Sequence, residues 1–273
     1  MLGDIVVDEL RTRFALEDAR AVLLVGSRAD GLDYAGSDID FLAVYESESR
    51  IPATIPFPGA VRTDSSLGGN WLGTMRGEEV NVETVSMATV RRVAALAAAP
   101  LTGHRTAVLQ PLEVRLLSRL ATGQPVGGGP SGARLAGTTP LRRLPAVVTA
   151  MHCLGVASYL DVARSWSVGA DALAADLVLL AATNTLGMAA LAVRDTVVYA
   201  PKKVGLALRK LERDGRMPPV REAELRGLVS AGHDHAARLD GFERALVRVR
   251  TAVAARATTE GGAWREALTV IAI

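Results

Sequence analysis

Asp38 and Asp40, separated by one apolar residue, are the side chains of this sequence with the most evident chemistry. In a strand, successive side chains alternate between faces, so both carboxylates share one side while Ile39 and Phe41 take the other. Two neighbouring carboxylates repel each other unless a cation lies between them, and hard oxygen ligands favour Mg²⁺, with Mn²⁺ as the alternative. Upstream, Gly26 and Ser27 end the apolar run Ala21 to Val25. Glycine admits close approach of backbone to a ligand, and the serine hydroxyl with its neighbouring N–H groups can donate to phosphate oxygens. Arg28 follows at once, a cation beside the same turn. The combination reads as a metal-dependent nucleotide site.

The elements that must position these groups follow from the apolar pattern. Residues 3–18 place Ile5, Val6, Leu10, Phe14 and Leu16 near helical spacing, so a short amphipathic helix leads into the first strand. Ala21 to Val25 is a continuous apolar run that suits a strand buried on both faces. The loop from Arg28 to Ser37 carries Gly31 and Gly36 and should be turn-rich. After the aspartate strand, Asn70 to Arg76 and Glu79 to Val85 form the arms of a hairpin about Gly77-Glu78, with Gly in the first turn position. In the second arm Asn81 and Glu83 share a face opposite Val80, Val82 and Thr84. Glu83 is therefore the leading candidate for a third carboxylate, with Glu79 as the substitute.

Val25-Gly26-Ser27, ten residues, then Asp38-Ile39-Asp40-Phe41 resembles the signature of the DNA polymerase β-like nucleotidyltransferase superfamily. That signature is a hydrophobic residue, Gly, Gly or Ser, a loop, and Asp-hydrophobic-Asp/Glu-hydrophobic. The resemblance implies that Asp38, Asp40 and Glu83 are metal ligands and catalytic residues. Asp38 and Asp40 would hold two ions, while Glu83 completes the inner site and draws the proton from the attacking hydroxyl. It also implies that Gly26 and Ser27 cradle the triphosphate of ATP or another nucleoside triphosphate. Tyr199-Ala200-Pro201-Lys202-Lys203 is similar to the helix start at which antibiotic-modifying members, such as the streptomycin and spectinomycin adenylyltransferases, offer a lysine to the triphosphate. Lys202 and Lys203 are accordingly candidate nucleotide ligands. The implied fold is α+β: an N-terminal nucleotidyltransferase domain with a mixed β-sheet flanked by helices, then a C-terminal all-α helical bundle.

Residues 1–100 are expected to form the catalytic domain and residues 101–273 a helical substrate- and nucleotide-binding domain. From Met87 onward the pattern is helical, interrupted at about 123–139 by a glycine-rich flexible loop. Its GGGPSG is not a phosphate loop, because no Lys-Ser or Lys-Thr follows and no strand precedes it. Further helices are expected over about 141–165, 169–196, 202–214 and 219–256. His233 and His235, two apart on a helix, face different directions and make a poor shared metal site, while His152 beside Cys153 reads as packed.

Composition bounds the function. Apolar residues are 49% of 273, enough for a sizeable core, and the net charge of +2 is spread along the chain, which argues against a nucleic-acid partner. A lone cysteine cannot form an internal disulfide, and Met1-Leu2-Gly3-Asp4 does not open a leader, so a cytoplasmic protein is expected. The apolar stretch from Ala170 to Val193 is interrupted by Asp171, Asp176, Thr183 and Asn184 and reads as a buried helix, with no membrane partner. These readings lead to transfer of a nucleoside monophosphate, AMP from ATP, onto a hydroxyl of a small molecule such as an aminoglycoside-like antibiotic or a natural-product intermediate. The alternatives are a toxin-like transferase acting on tRNA or protein and a nucleotide sensor without turnover. Monomer and homodimer are both compatible with the sequence.

Overall fold

The computed structural model describes residues 4–33, 36–55, 57, 59–102, 109–127, 129–168, 172–230 and 234–272. Its contacts divide the chain into two units, Met1–Ala98 with Pro111–Arg142, and Ala99–Gln110 with Arg143–Ile273.

The first unit is built on six strands: β1 (Ala21–Val25), β2 (Ile39–Tyr45), β3 (Val61–Ser65), β4 (Gly68–Met75), β5 (Glu78–Ser86) and β6 (Gln124–Pro125). Their order in the sheet is β3-β4-β5-β2-β1-β6, and β2 and β5 run parallel at its centre while the other pairs are antiparallel. Every residue of β2 is buried, as expected of a central strand covered on both faces. On one face Phe14 and Leu16, which follow helix α1 (Asp4–Arg13), pack with Val22, Phe41, Tyr45 and Val82. The other face carries Asp40, Asn81 and Glu83. The β4–β5 turn is one residue earlier than the sequence suggests. Met75 pairs with Glu78, leaving Arg76 (φ 54°) and Gly77 (φ 81°) as a two-residue turn with both φ positive, the geometry that matches strand twist.

Three further helices complete this unit after the short α2 (Gly26–Asp30): α3 (Met87–Ala98), α4 (Pro111–Thr122) and α5 (Gly132–Ala136). In α3, Val90, Val93, Ala94 and Ala97 form the buried stripe. Pro111 opens α4 at its first turn, where the missing N–H costs nothing. A boundary near residue 100 and a flexible loop at 123–139 are the expectations; contacts group Pro111–Arg142 with the first unit, and short regular elements occur at Gln124–Pro125 and Gly132–Ala136. Gln124 and Pro125 pair with Leu24 and Leu23 of β1, and Val126 N–H donates to Val22 O at 2.9 Å. Glycine at 132 is required by close packing: a Cβ there would lie 1.9 Å from Leu120 O of α4. Pro111–Arg142 groups with the first unit, where Gln124 and Pro125 finish the edge of the sheet, which local composition does not reveal.

The second unit is helical: α6 (Thr138–Val168, beginning in the first unit), α7 (Ala172–Ala192), α8 (Val204–Arg213), α9 (Glu222–Ser230), α10 (His235–Glu260) and α11 (Gly262–Ile271). The stretch expected as one helix over 219–256 is α9 and α10, with Asp234 capping α10 through Ala237 N–H at 3.0 Å. The C-terminal residues, unassigned in sequence, form α11, whose Trp264, Ala267, Val270 and Ile271 are buried. Thr138–Trp166 and Leu173–Ala192 have the length and hydropathy of membrane spans, and half of an 18-residue apolar stretch in each is buried within the protein. α7 is not buried all round as its composition suggests, since Leu173, Leu177 and Leu180 are exposed. The architecture is α+β, a mixed sheet flanked by helices followed by a helical region.

Candidate functional site

β1 ends where Gly26 turns the chain with φ 76°, and Asp40 sits opposite Val25 in the β1–β2 register. A Cβ on Gly26 would fall 2.1 Å from Asp40 Oδ2 and 2.9 Å from Asp40 Cβ. No other residue type lets the carboxylate lie against this turn. The Gly-Ser turn and the second aspartate are thus one unit in space. Ser27 is buried, and its carbonyl accepts from Leu32 N–H at 2.8 Å. Arg28 donates to Ser37 O at 2.9 Å and pairs with Glu78 at 3.2 Å, tying both ends of the 28–37 loop to the hairpin.

The parallel β2–β5 register pairs Asp40 with Asn81 and Leu42 with Glu83. Asn81 Nδ2 donates to Asp40 Oδ1 at 2.8 Å. Glu83 lies two residues deeper, about 7 Å along the strand. It is 2% exposed, and both its oxygens are held by arginines of α4: Oε1 by Arg115 Nη2 at 3.0 Å and Oε2 by Arg119 Nη1. Arg119, 5% exposed, also reaches Asp40 Oδ1 at 3.3 Å. The structure therefore does not bring Asp38, Asp40 and Glu83 together as one cluster. Among the described residues no three His, Cys, Asp or Glu side chains form a metal-binding group.

Toward the open end of the same face, Asp38, Thr74, Glu79 and Asn81 line a cavity of about 250 Å³ with Val61 and Leu72. Glu79, the substitute third acid, shares this cavity with Asp38, as Glu83 does not. The amide oxygen of Asn81 is buried and accepts no hydrogen bond. An unpartnered amide oxygen and the nearby carboxylates are hard oxygens of the kind that Mg²⁺ takes.

Lys202 and Lys203 lie in the helical unit, in a 3-10 turn over Pro201–Lys203 ahead of α8. Lys202 is exposed, and Lys203 Nζ stands 5.5 Å from the centre of the Tyr199 ring. His233 lies outside the described residues. His235 faces Asp176 at 3.2 Å, beside the buried Arg238.

Sequence reasoning missed Asn81, Arg115 and Arg119 as members of the centre. A signal existed for the arginines: they are four apart, on one side of a helix whose Leu116, Leu117 and Leu120 are buried. An arginine on a mostly buried helix needs an acid partner. Which acid it meets depends on how α4 lies over the sheet.

No protein-family model matches this sequence, and no curated protein matches it. Among solved structures, it is similar to a nucleotidyltransferase-like protein from Exiguobacterium sibiricum 255-15, with a TM-score of 0.41 and 13% identity, over 96% of this chain and 76% of that one. Similarity of that degree leaves the reading of the site to its side chains.

Proposed function

We propose that the protein is a metal-dependent nucleotidyltransferase that moves a nucleoside monophosphate, AMP from ATP, onto a hydroxyl of a small molecule. The observation that supports this reading best is the contact between Gly26 and Asp40, because it joins a phosphate-sized turn to a carboxylate pair within one β-turn-β unit. Asp38 and Asp40 would hold Mg²⁺, which supplies charge neutralisation at the triphosphate when bound. Gly26 and Ser27 would receive the phosphates, with Arg28 beside them. The acceptor oxygen bonds to the α-phosphorus as the bond to the bridging oxygen breaks, and pyrophosphate leaves. The proton goes to a carboxylate, and Glu79 in the Asp38 cavity is better exposed for that role than Glu83, whose oxygens are taken by arginines. Positioning and charge account for most of the rate in such transfers. Lys202 or Lys203 remains the proposed ligand from the helical unit. An aminoglycoside-like antibiotic or natural-product intermediate is the proposed acceptor, and the cytoplasm the proposed location.

A nucleotide sensor without turnover is the second reading. It is favoured by one observation, the neutral Asn81 beside Asp40.

The test is calorimetric titration with the four nucleoside triphosphates, with and without Mg²⁺, in the wild type and in Asp38→Asn/Asp40→Asn. One triphosphate should bind with Mg²⁺ and the variant should lose that dependence. Absence of binding by all four would sink both readings. Release of pyrophosphate in the presence of a panel of hydroxyl-bearing acceptors separates the transferase from the sensor.

A further inference from the structure

We propose that the groove between α6 and α10 binds a small apolar carboxylate, an aliphatic chain ending in one acid group, with Arg250 as its counter-charge.

The two helices share a cavity of about 430 Å³. Its apolar wall is Ala157 and Leu160 from α6 with Leu246 and Val247 from α10. Leu160 and Leu246 are buried, but Val247 is 57% exposed, so an aliphatic chain laid on it removes apolar surface from water. Two cations line the same cavity, and their surroundings differ. Arg164 is neutralised twice over, by Asp161 at 2.6 Å and by Glu243. Arg250 is part-buried, and among the described residues no carboxylate or other hydrogen-bond acceptor meets it; its Nε is buried and donates to nothing. Cys153 on α6 lies within electrostatic reach of that charge, but burial pushes its thiol up to about 12, so it stays neutral and does not balance the arginine.

A part-buried guanidinium without a counter-charge is unfavourable, and a carboxylate is the group whose two oxygens match its N–H fork. The charges also set the class of ligand. One cation is uncompensated while Asp161 and Glu243 line the same cavity, so a monoanion is matched. A phosphate dianion would bring a second negative charge toward those two acids. An apolar wall with one charged group to fix orientation is the usual make-up of a small-molecule pocket.

The measurement is calorimetric titration of the full-length chain with octanoate, octanol and octyl phosphate at about pH 8, where the phosphate is a dianion. Octanoate should bind at one site per chain and more tightly than the other two. Arg250→Met, which keeps the length and loses the charge, should weaken octanoate at least about tenfold and leave octanol unchanged. Val247→Glu, three residues before Arg250 on α10, supplies a carboxylate within the chain and should abolish octanoate binding. No binding of octanoate, or binding of octanol or octyl phosphate as tight as that of octanoate, overturns the proposal. So does octanoate binding that survives unchanged in either variant when circular dichroism shows it folded. Where Arg250→Met does not fold, Val247→Glu, at an exposed position, decides.

Discussion

Replacing Gly26 with alanine tests whether the turn and Asp40 are mechanically one unit. Gly26 has φ 76°, and moving an L-residue into that region costs about 1–2 kcal/mol. The added methyl lies 2.1 Å from Asp40 Oδ2 and 2.9 Å from Asp40 Cβ, so rotating the carboxyl alone does not clear it. Asp40 must move, and its hydrogen bonds with Asn81 and Arg119 weaken. Loss of one hydrogen bond to a charged group costs roughly 1.5–3 kcal/mol, which brings the total to about 3–5 kcal/mol. At about 2–4 °C per kcal/mol for a chain of this size, Tm falls on the order of 10 °C. Gly77→Ala is the control: its φ is 81°, but nothing lies within 4 Å of the added Cβ, so only the backbone cost of about 1–2 kcal/mol applies. Thermal unfolding by circular dichroism compares the two. Equal shifts in Tm would refute the reasoning, because the close approach to Asp40 would then carry no energy.

Three other outcomes are expected. Gly132→Ala places a Cβ 1.9 Å from Leu120 O, a backbone atom that cannot rotate away, so α5 is pushed off α4 at a cost of about 1–3 kcal/mol or more; wild-type chain should resist limited proteolysis at 124–136 and the variant should be cut there. Burial lowers the His152 pKa to about 4, below its usual 6.5, so the unfolded chain takes up a proton between those values while the folded one does not. Stability from this group is intact above about pH 6.5 and falls as pH drops toward 4, by up to about 3 kcal/mol, and His152→Leu should flatten that part of the Tm–pH curve. Burial pushes the Cys153 thiol up to about 12, so a thiol reagent should label the folded protein only as fast as it unfolds; prompt stoichiometric labelling would contradict the packing of α6.

The first strand was legible in sequence as a continuous apolar run, and the hairpin arm with the face shared by Asn81 and Glu83 as a local alternation of apolar and polar residues. The paired aspartates and the Gly-Ser turn were legible for the same reason, their chemistry being carried by residues a few positions apart. Three matters were decided only in the folded chain. Strand register set Asn81, not Glu83, level with Asp40, and register depends on how two strands distant in sequence align. The placement of α4 brought Arg115 and Arg119 onto Glu83, turning a candidate base into one arm of a buried ion pair. Within the glycine-rich stretch at 123–136, which reads as a linker, Gln124–Pro125 became an edge strand and Gly132–Ala136 a helix, with Gly123 and Gly132 lying against the backbone of α4. Sequence specifies which groups are present and which face of an element they share. Which charges end up neutralising one another depends on distances between elements, and those are set by packing the whole sheet and its helices at once.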